Sequence, residues 1–151
     1  MMSDEEFMGV ALEEAEKALE KGEVPIGAII VQNGQIVARA HNLKEELKDP
    51  TAHAEILAIQ EATRNLKKWR LNDCTLYVTL EPCPMCAGAL VQSRVKRVVY
   101  GIHDLKAGAA GSVLNVLDEP RFNHQVNVSS GVLQEECREI MQRFFRSLRK
   151  S

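Results

Sequence analysis

The sequence predicts an α/β fold of three layers, α/β/α, built on a five-stranded mixed sheet with helices on both faces. Segments with helical apolar spacing alternate with segments that read as strands. A hairpin signal lies early in the chain, and a strand, short helix, strand unit in the middle reads as a parallel crossover. With 151 residues, 45% hydrophobic and 26% charged, the chain is expected to form one domain over 1–151 with material for a real core. Strand order does not follow from the pattern.

Ser3 followed by Glu6 is a capping-box signature. Phe7, Val10, Ala11, Ala15, Ala18 and Leu19 then keep helical spacing until Gly22, so a first helix is expected over about 4–21. The stretches "VPIGAIIV", "QNGQ" and "IVARAH" read as a β-hairpin, because Asn33-Gly34 tolerates the positive φ angles of a type I′ turn. The apolar run of its first strand implies burial on both sides. After Asp49-Pro50, Thr51 is the expected N-cap of a second helix buried through Ile56, Ile59, Ala62 and Leu66, with His53 and Glu55 in its first turn.

"CTLYVTL" alternates as a strand, "CPMCAGALVQS" forms a short helix after a turn, and "RVKRVVYG" is the next strand. Beyond Gly101 the chain loosens: "SVLNVL" allows one or two helical turns, and "EPRFNHQVNVSSG" at most one short edge strand. A last helix, about Leu133 to Arg149, is amphipathic through Leu133, Cys137, Ile140, Met141, Phe144, Phe145 and Leu148.

No run of about 18 uncharged apolar residues exists, and the N-terminal stretch is acidic where a signal peptide would be basic then apolar. A cytoplasmic protein without a membrane segment is expected. Residues 1–23 carry eight acids against two lysines, whereas 138–151 carry five basic residues against one acid. That asymmetry fits a local anion-binding face or simply a solvated helix. Cys74 on a strand and Cys137 on a helix read as small buried hydrophobes.

The chemistry is concentrated in His53-Ala54-Glu55 and Pro82-Cys83-Pro84-Met85-Cys86. One imidazole and two thiolates are three zinc-type ligands, and a tetrahedral ion held by three protein groups leaves its fourth position to water. Cys74 and Cys137 are poorly placed to serve as a fourth ligand, which favours an open, catalytic site over a structural one. Both clusters fall at helix starts, where unpaired N–H groups and the helix dipole stabilise thiolates. Zinc would lower the pKa of its water toward ~7, and Glu55 is close enough to take the proton and hand it to a substrate nitrogen. A lone C-x-x-C is weak evidence and a lone H-x-E almost none. In this order, on successive helix starts separated by one strand, they match the signature of zinc nucleobase deaminases.

At these residues the chain resembles the cytidine deaminase-like superfamily, and within it the bacterial tRNA-specific adenosine deaminases. The similarity runs from "EVPIGAIIV" through "DPTAHAEILAI", "TLYVTLEPCPMCAGALVQSRVKRVVYG" and "KAGAAGS" to "RFNHQV" and "GVLQEEC". The tail "HDLKAGAAGSVLNVLDEPRFNHQV" with "FFRSLRK" is similar to the RNA-acting branch.

The resemblance implies the cytidine deaminase-like fold and a homodimer with one Zn2+ per subunit. It implies conversion of the wobble adenosine of an arginine tRNA anticodon to inosine, with zinc-bound hydroxide attacking C6, Glu55 shuttling protons and ammonia released. His53, Cys83 and Cys86 match the family's ligands and Glu55 its proton shuttle. The base must be flipped out of the stacked anticodon loop. By resemblance Asn42 hydrogen-bonds the flipped nucleotide, Val24, Ile26 and Leu80 wall the pocket, and the Ala54 backbone orients the base. Plain core packing is the competing account of the apolar three. Asp104, Lys106, Phe145 and Arg149 resemble the anticodon stem-loop contacts, against a solvated loop and helix as the alternative. His103 departs from the polar residue common among relatives, and His41 and His124 are expected at the surface or facing RNA.

Two other functions share these motifs. A free-base deaminase for guanine or cytosine needs the same zinc chemistry and no RNA grip. A non-enzymatic zinc-stabilised RNA-binding subunit would lack the proton shuttle, and Glu55 is present.

Overall fold

The computed structural model describes residues 2–149. Its elements are α1 Asp4–Glu20, β1 Gly27–Gln32, β2 Gln35–His41, α2 Lys44–Leu47, α3 Ala54–Leu66 and β3 Cys74–Leu80. They continue with α4 Pro84–Gln92, β4 Arg97–Ile102, a 3-10 turn Val116–Asp118, β5 Asn127–Ser130 and α5 Gln134–Arg149.

The five strands form one mixed sheet in the order β2-β1-β3-β4-β5. β1 is antiparallel to β2 and to β3, while β3, β4 and β5 are parallel. The hairpin turns at Asn33 (φ 50°) and Gly34 (φ 77°), the conformation a type I′ turn requires. Because β1 has a neighbour on each side, all but its last residue are buried, as its apolar run predicts.

Alternate residues of each strand feed two cores. Ile29, Val31, Tyr77 and Val99 pack beneath α1 and α5 with Phe7, Met8, Ala11 and Cys137. Ala28, Ile30, Leu76, Val78 and Val98 pack on the other side with Ala54, Ala58 and Ala62 of α3 and Ala87 and Leu90 of α4. The result is the expected α/β/α layering. The α1/α5 layer is also pinned by polar contacts: Arg97 of β4 holds Asp4 at 2.8 and 3.0 Å, and Arg143 of α5 reaches Glu16 of α1 at 2.6 Å.

The helix starts and faces depart from the sequence reading in three places. Thr51 is not an N-cap: its N–H and hydroxyl both bond Asp49 Oδ1, and His53 occupies the cap position of α3. The buried stripe of α3 is Ala54, Ala58 and Ala62 with Glu55, while Ile59 and Leu66 are half-buried flanks and Ile56 lies outside the core cluster. Small residues at i, i+4 and i+8 let the helix lie close on β1 and β2, so the larger side chains are displaced to its flanks. On α5 only Cys137, Ile140 and Phe144 are buried, where it packs on β4 and α1; Phe145 and Leu148 are half exposed. The short α2 was not anticipated. It is held by Glu23, whose buried carboxylate accepts from the Glu45 and Glu46 N–H groups.

Candidate active site

The ends of β3 and β4, the start of β1 and the end of β2 meet at one edge of the sheet. α3 and α4 begin there, so the first turns of both helices face each other across the carboxyl ends of parallel strands. His53 and Cys83 are the N-cap residues, both with extended backbone; the His53 side chain makes no cap bond to α3, and the Cys83 thiol is engaged by Cys86 one turn into α4. Their side chains turn toward one another.

His53 Nδ1 lies 3.6 Å from Cys83 Sγ and 3.5 Å from Cys86 Sγ. The three donor atoms fall within 4.8 Å of one another. A tetrahedral ion with bonds of about 2.1 Å to nitrogen and 2.3 Å to sulfur needs N···S edges of about 3.6 Å. The residues present therefore fit a zinc-sized ion, with Nδ1 as the imidazole ligand.

Cys83 is half-buried, and its thiol is pulled down to about 4, chiefly by the hydrogen bond from Cys86, with His53 adding to it against the cost of burial. Cys86 is buried and pushed up, because it donates to Cys83. His53 is raised by its bond to Cys83. Cys74 and Cys137 are driven by burial up to about 12, which makes them inert packing groups.

Glu55 is buried beside this cluster and burial pushes it up to about 7. Its Oε1 has no hydrogen-bond partner among the described residues. A buried carboxylate oxygen left unpaired costs stability, so the fold reserves it for a group that is not part of the chain.

The expected substrate residues divide into two groups. Asn42, after β2, is 3% exposed; its Oδ1 accepts the Ala54 N–H at 2.8 Å, supplying the cap that His53 does not. Its backbone N–H donates to the Ile26 carbonyl, and the Ile26 N–H to the Val24 carbonyl, so a chain of hydrogen bonds links Val24, Ile26, Asn42 and Ala54. Val24, Ile26 and Leu80 are half-buried. Leu80, Asp104, Lys106 and Phe145 instead line a cavity of about 450 Å³ with Ile102 and Met141. Arg149 is exposed one turn beyond Phe145 and does not line it.

The other histidines are engaged in the fold. His41 is 11% exposed at its side chain and sits between Glu14 at 2.9 Å and Lys21 at 3.1 Å, so the expected surface role gives way to a link between β2 and α1. His124 Nε2 is 2.8 Å from the Val95 carbonyl, which likewise ties the tail to the domain. His103 Nδ1 lies 3.0 Å from the Tyr100 hydroxyl.

Glu81 was missed by the motif reading. It follows β3 immediately before Pro82-Cys83 and is fully buried. Its carboxylate collects the N–H groups of Asp104, Ala110 and Ser112 and the Ser112 hydroxyl. Burial raises its pKa, but these donors outweigh burial and hold the carboxyl below its ordinary value. The available signal was an acid set between an apolar strand and a Pro-Cys pair.

The sequence profile of the MafB19-like deaminases matches residues 2–149. A tRNA-specific adenosine deaminase of Bacillus subtilis (strain 168) is 59% identical over 150 residues, covering 99% of this chain and 93% of that protein. A protein of the same name from Aquifex aeolicus (strain VF5) is 55% identical over 150 residues, covering 99% of each. A solved structure from work on A-to-I editing by tRNA:A34 deaminases at the wobble position superposes with a TM-score of 0.86 at 46% identity, covering 89% of this chain and 97% of that one.

Proposed function

The chain belongs to the tRNA-specific adenosine deaminases and is a hydrolytic enzyme acting on adenosine in tRNA, and from that premise we propose its site, metal and substrate. The substrate is the wobble adenosine of an arginine tRNA, the product inosine. His53 Nδ1 and the Cys83 and Cys86 thiolates hold one zinc per subunit. Bound there, zinc supplies a Lewis acid that lowers the pKa of water toward ~7.

Glu55 carries the protons. Water adds its oxygen to C6 while its proton passes to the carboxylate, which delivers it to N1. The second proton travels by the same carboxylate to the exocyclic amine, the C6–N bond breaks, and ammonia leaves. A group with a pKa of about 7 is matched to both halves of that task. Asn42, fixed by Ala54, presents its remaining amide N–H groups to the base, and Ile26, Val24 and Leu80 exclude water. Asp104, Lys106, Phe145 and Arg149 take the anticodon stem-loop, with the flipped base reaching the site from that side.

The single observation carrying the mechanism is the pairing of three ligand atoms, with N···S edges of 3.5 and 3.6 Å, with an unpaired buried carboxylate oxygen beside them. No helix among the described residues is long and apolar enough to cross a membrane. On this reading the chain is a single-domain subunit of a cytoplasmic homodimer. The test is incubation of purified zinc-loaded protein with an arginine tRNA anticodon stem-loop, followed by digestion and nucleoside mass analysis. Inosine at the wobble position is expected, with guanine, cytosine and free adenosine turned over poorly. Turnover of guanine or cytosine with no inosine in the stem-loop would replace this reading with a free-base deaminase.

A further inference from the structure

The loop that joins β4 to the 3-10 turn carries two of the residues proposed to touch RNA; its apolar anchor is Ala109 with Ala110, while its large side chains stay out, Leu105 81% exposed and Val113 and Leu114 about half exposed. Its polar anchor is Glu81. Oε1 accepts from the Asp104 N–H and the Ser112 hydroxyl, and Oε2 from the Ala110 and Ser112 N–H groups, so one carboxylate grips both ends of the loop. The grip is tight, because a Cβ on Gly108 would lie 2.4 Å from the Glu81 carboxylate and 2.5 Å from the Asp104 carbonyl. The Ala109 N–H adds a bond to the Pro82 carbonyl at 2.8 Å. Once Asp104 is held by its backbone, its Oδ1 accepts the Lys106 and Ala107 N–H groups and sets the turn that carries Lys106. The anchoring segment, Glu81-Pro82, runs directly into Cys83.

We propose that Glu81 is a positioning residue for RNA capture, fixing the 104–112 loop on the segment that carries the ligand thiolates so that Asp104 and Lys106 meet the stem-loop in register with the metal site. Glu81 touches no substrate itself. The inference rests on the reading that this loop contacts RNA. All four loop donors point at an acceptor-only group, and Glu81→Gln would turn an amide N–H2 against donors that have no other place to go.

The test compares wild type, Glu81→Gln, Ser112→Ala and Lys106→Ala on the zinc-loaded protein with the stem-loop substrate, recording KM, kcat, zinc per chain and amide exchange of residues 104–112. Glu81→Gln raises KM about tenfold with kcat within about threefold of wild type, keeps its zinc and speeds exchange in the loop. Ser112→Ala, which removes one donor only, gives the same pattern at about twofold to threefold and carries the test if Glu81→Gln does not fold. Loss of kcat or zinc at unchanged KM would place Glu81 in the service of the thiolates and overturn the proposal, as would unchanged KM and exchange. If Lys106→Ala leaves RNA binding untouched, the contact reading is what fails; faster loop exchange in Glu81→Gln would then stand as a fold effect alone and the RNA-capture proposal falls with the contact.

Discussion

Asn42 offers the sharpest perturbation, because it is assigned two tasks by two different atoms. Oδ1 caps α3 through the buried Ala54 N–H at 2.8 Å, and Nδ2 is the group left for the nucleotide. Asn42→Ala removes both. Losing an N-cap costs about 1 kcal/mol, and leaving a buried donor unpaired about 1–3 kcal/mol, so a combined loss of about 1–2 kcal/mol is expected, these being overlapping descriptions of one bond. For a chain of this size that lowers Tm by roughly 2–8 °C. Asn42→Asp keeps the acceptor, and its charge suits a helix N-terminus, so the melting temperature returns close to wild type. Its second oxygen cannot donate, so deamination of the stem-loop stays impaired. Thermal unfolding and single-turnover kinetics on metal-loaded protein separate the two outcomes. If Asn42→Asp melts as low as Asn42→Ala, the Ala54 cap is not what Oδ1 provides; if it deaminates at the wild-type rate, the amide N–H is not the substrate contact.

Four other outcomes follow from the same geometry. Glu55→Gln keeps zinc and lowers kcat by about 10²–10⁴-fold, and because Oε1 has no partner to lose, Tm holds or rises; a melting temperature several degrees lower would contradict that. Cys83→Ala abolishes activity together with metal, so one zinc still bound per chain by metal analysis would refute its role as a ligand. In chelator-stripped protein at neutral pH, iodoacetamide modifies Cys83 first and zinc blocks the reaction, whereas peptide mapping finds Cys74 and Cys137 unmodified in the folded state. Glu81 binds its proton more weakly in the folded state than in the unfolded one, so its contribution to stability is complete above the unfolded value near pH 4.3 and fades as pH falls through the lower folded value. The Tm gap between wild type and Glu81→Gln therefore narrows below about pH 4, and a gap that widened there would reverse the assignment.

What was legible in the sequence was whatever depends on local period or on side chains that carry their own chemistry. The capping box at Ser3 and Glu6, the Asn33-Gly34 turn and the unbroken run of β1 each fix a backbone state within a few residues, and the structure has all three. The ligand-type residues were legible because H-x-E and P-C-x-x-C are short-range patterns. Partners distant in sequence were not. Thr51 is a good cap by composition, but Asp49 competes for it and Asn42, 12 residues upstream, reaches Ala54 through the tertiary fold. Phe145 and Leu148 match the helical period, yet the elements beneath α5 cover only Cys137, Ile140 and Phe144, a limit set by neighbouring elements and not by the helix itself.

The buried acids make the same point from the side of function. Glu14, Glu23, Glu55 and Glu81 are all nearly excluded from solvent, and a local motif singles out Glu55 but says nothing of how buried the four are. Glu14 is met by Lys17, Arg39 and His41, Glu23 by two helix N–H groups, and Glu81 by loop donors. Each of these three recovers its desolvation cost within the chain and so needs no ligand to explain it. Glu55 alone keeps a carboxylate oxygen without a partner, a cost the fold carries at the point where three metal-type donors converge. Stability would favour a glutamine or an apolar side chain there, and the proton transfer we propose for Glu55 gives a reason for a carboxylate.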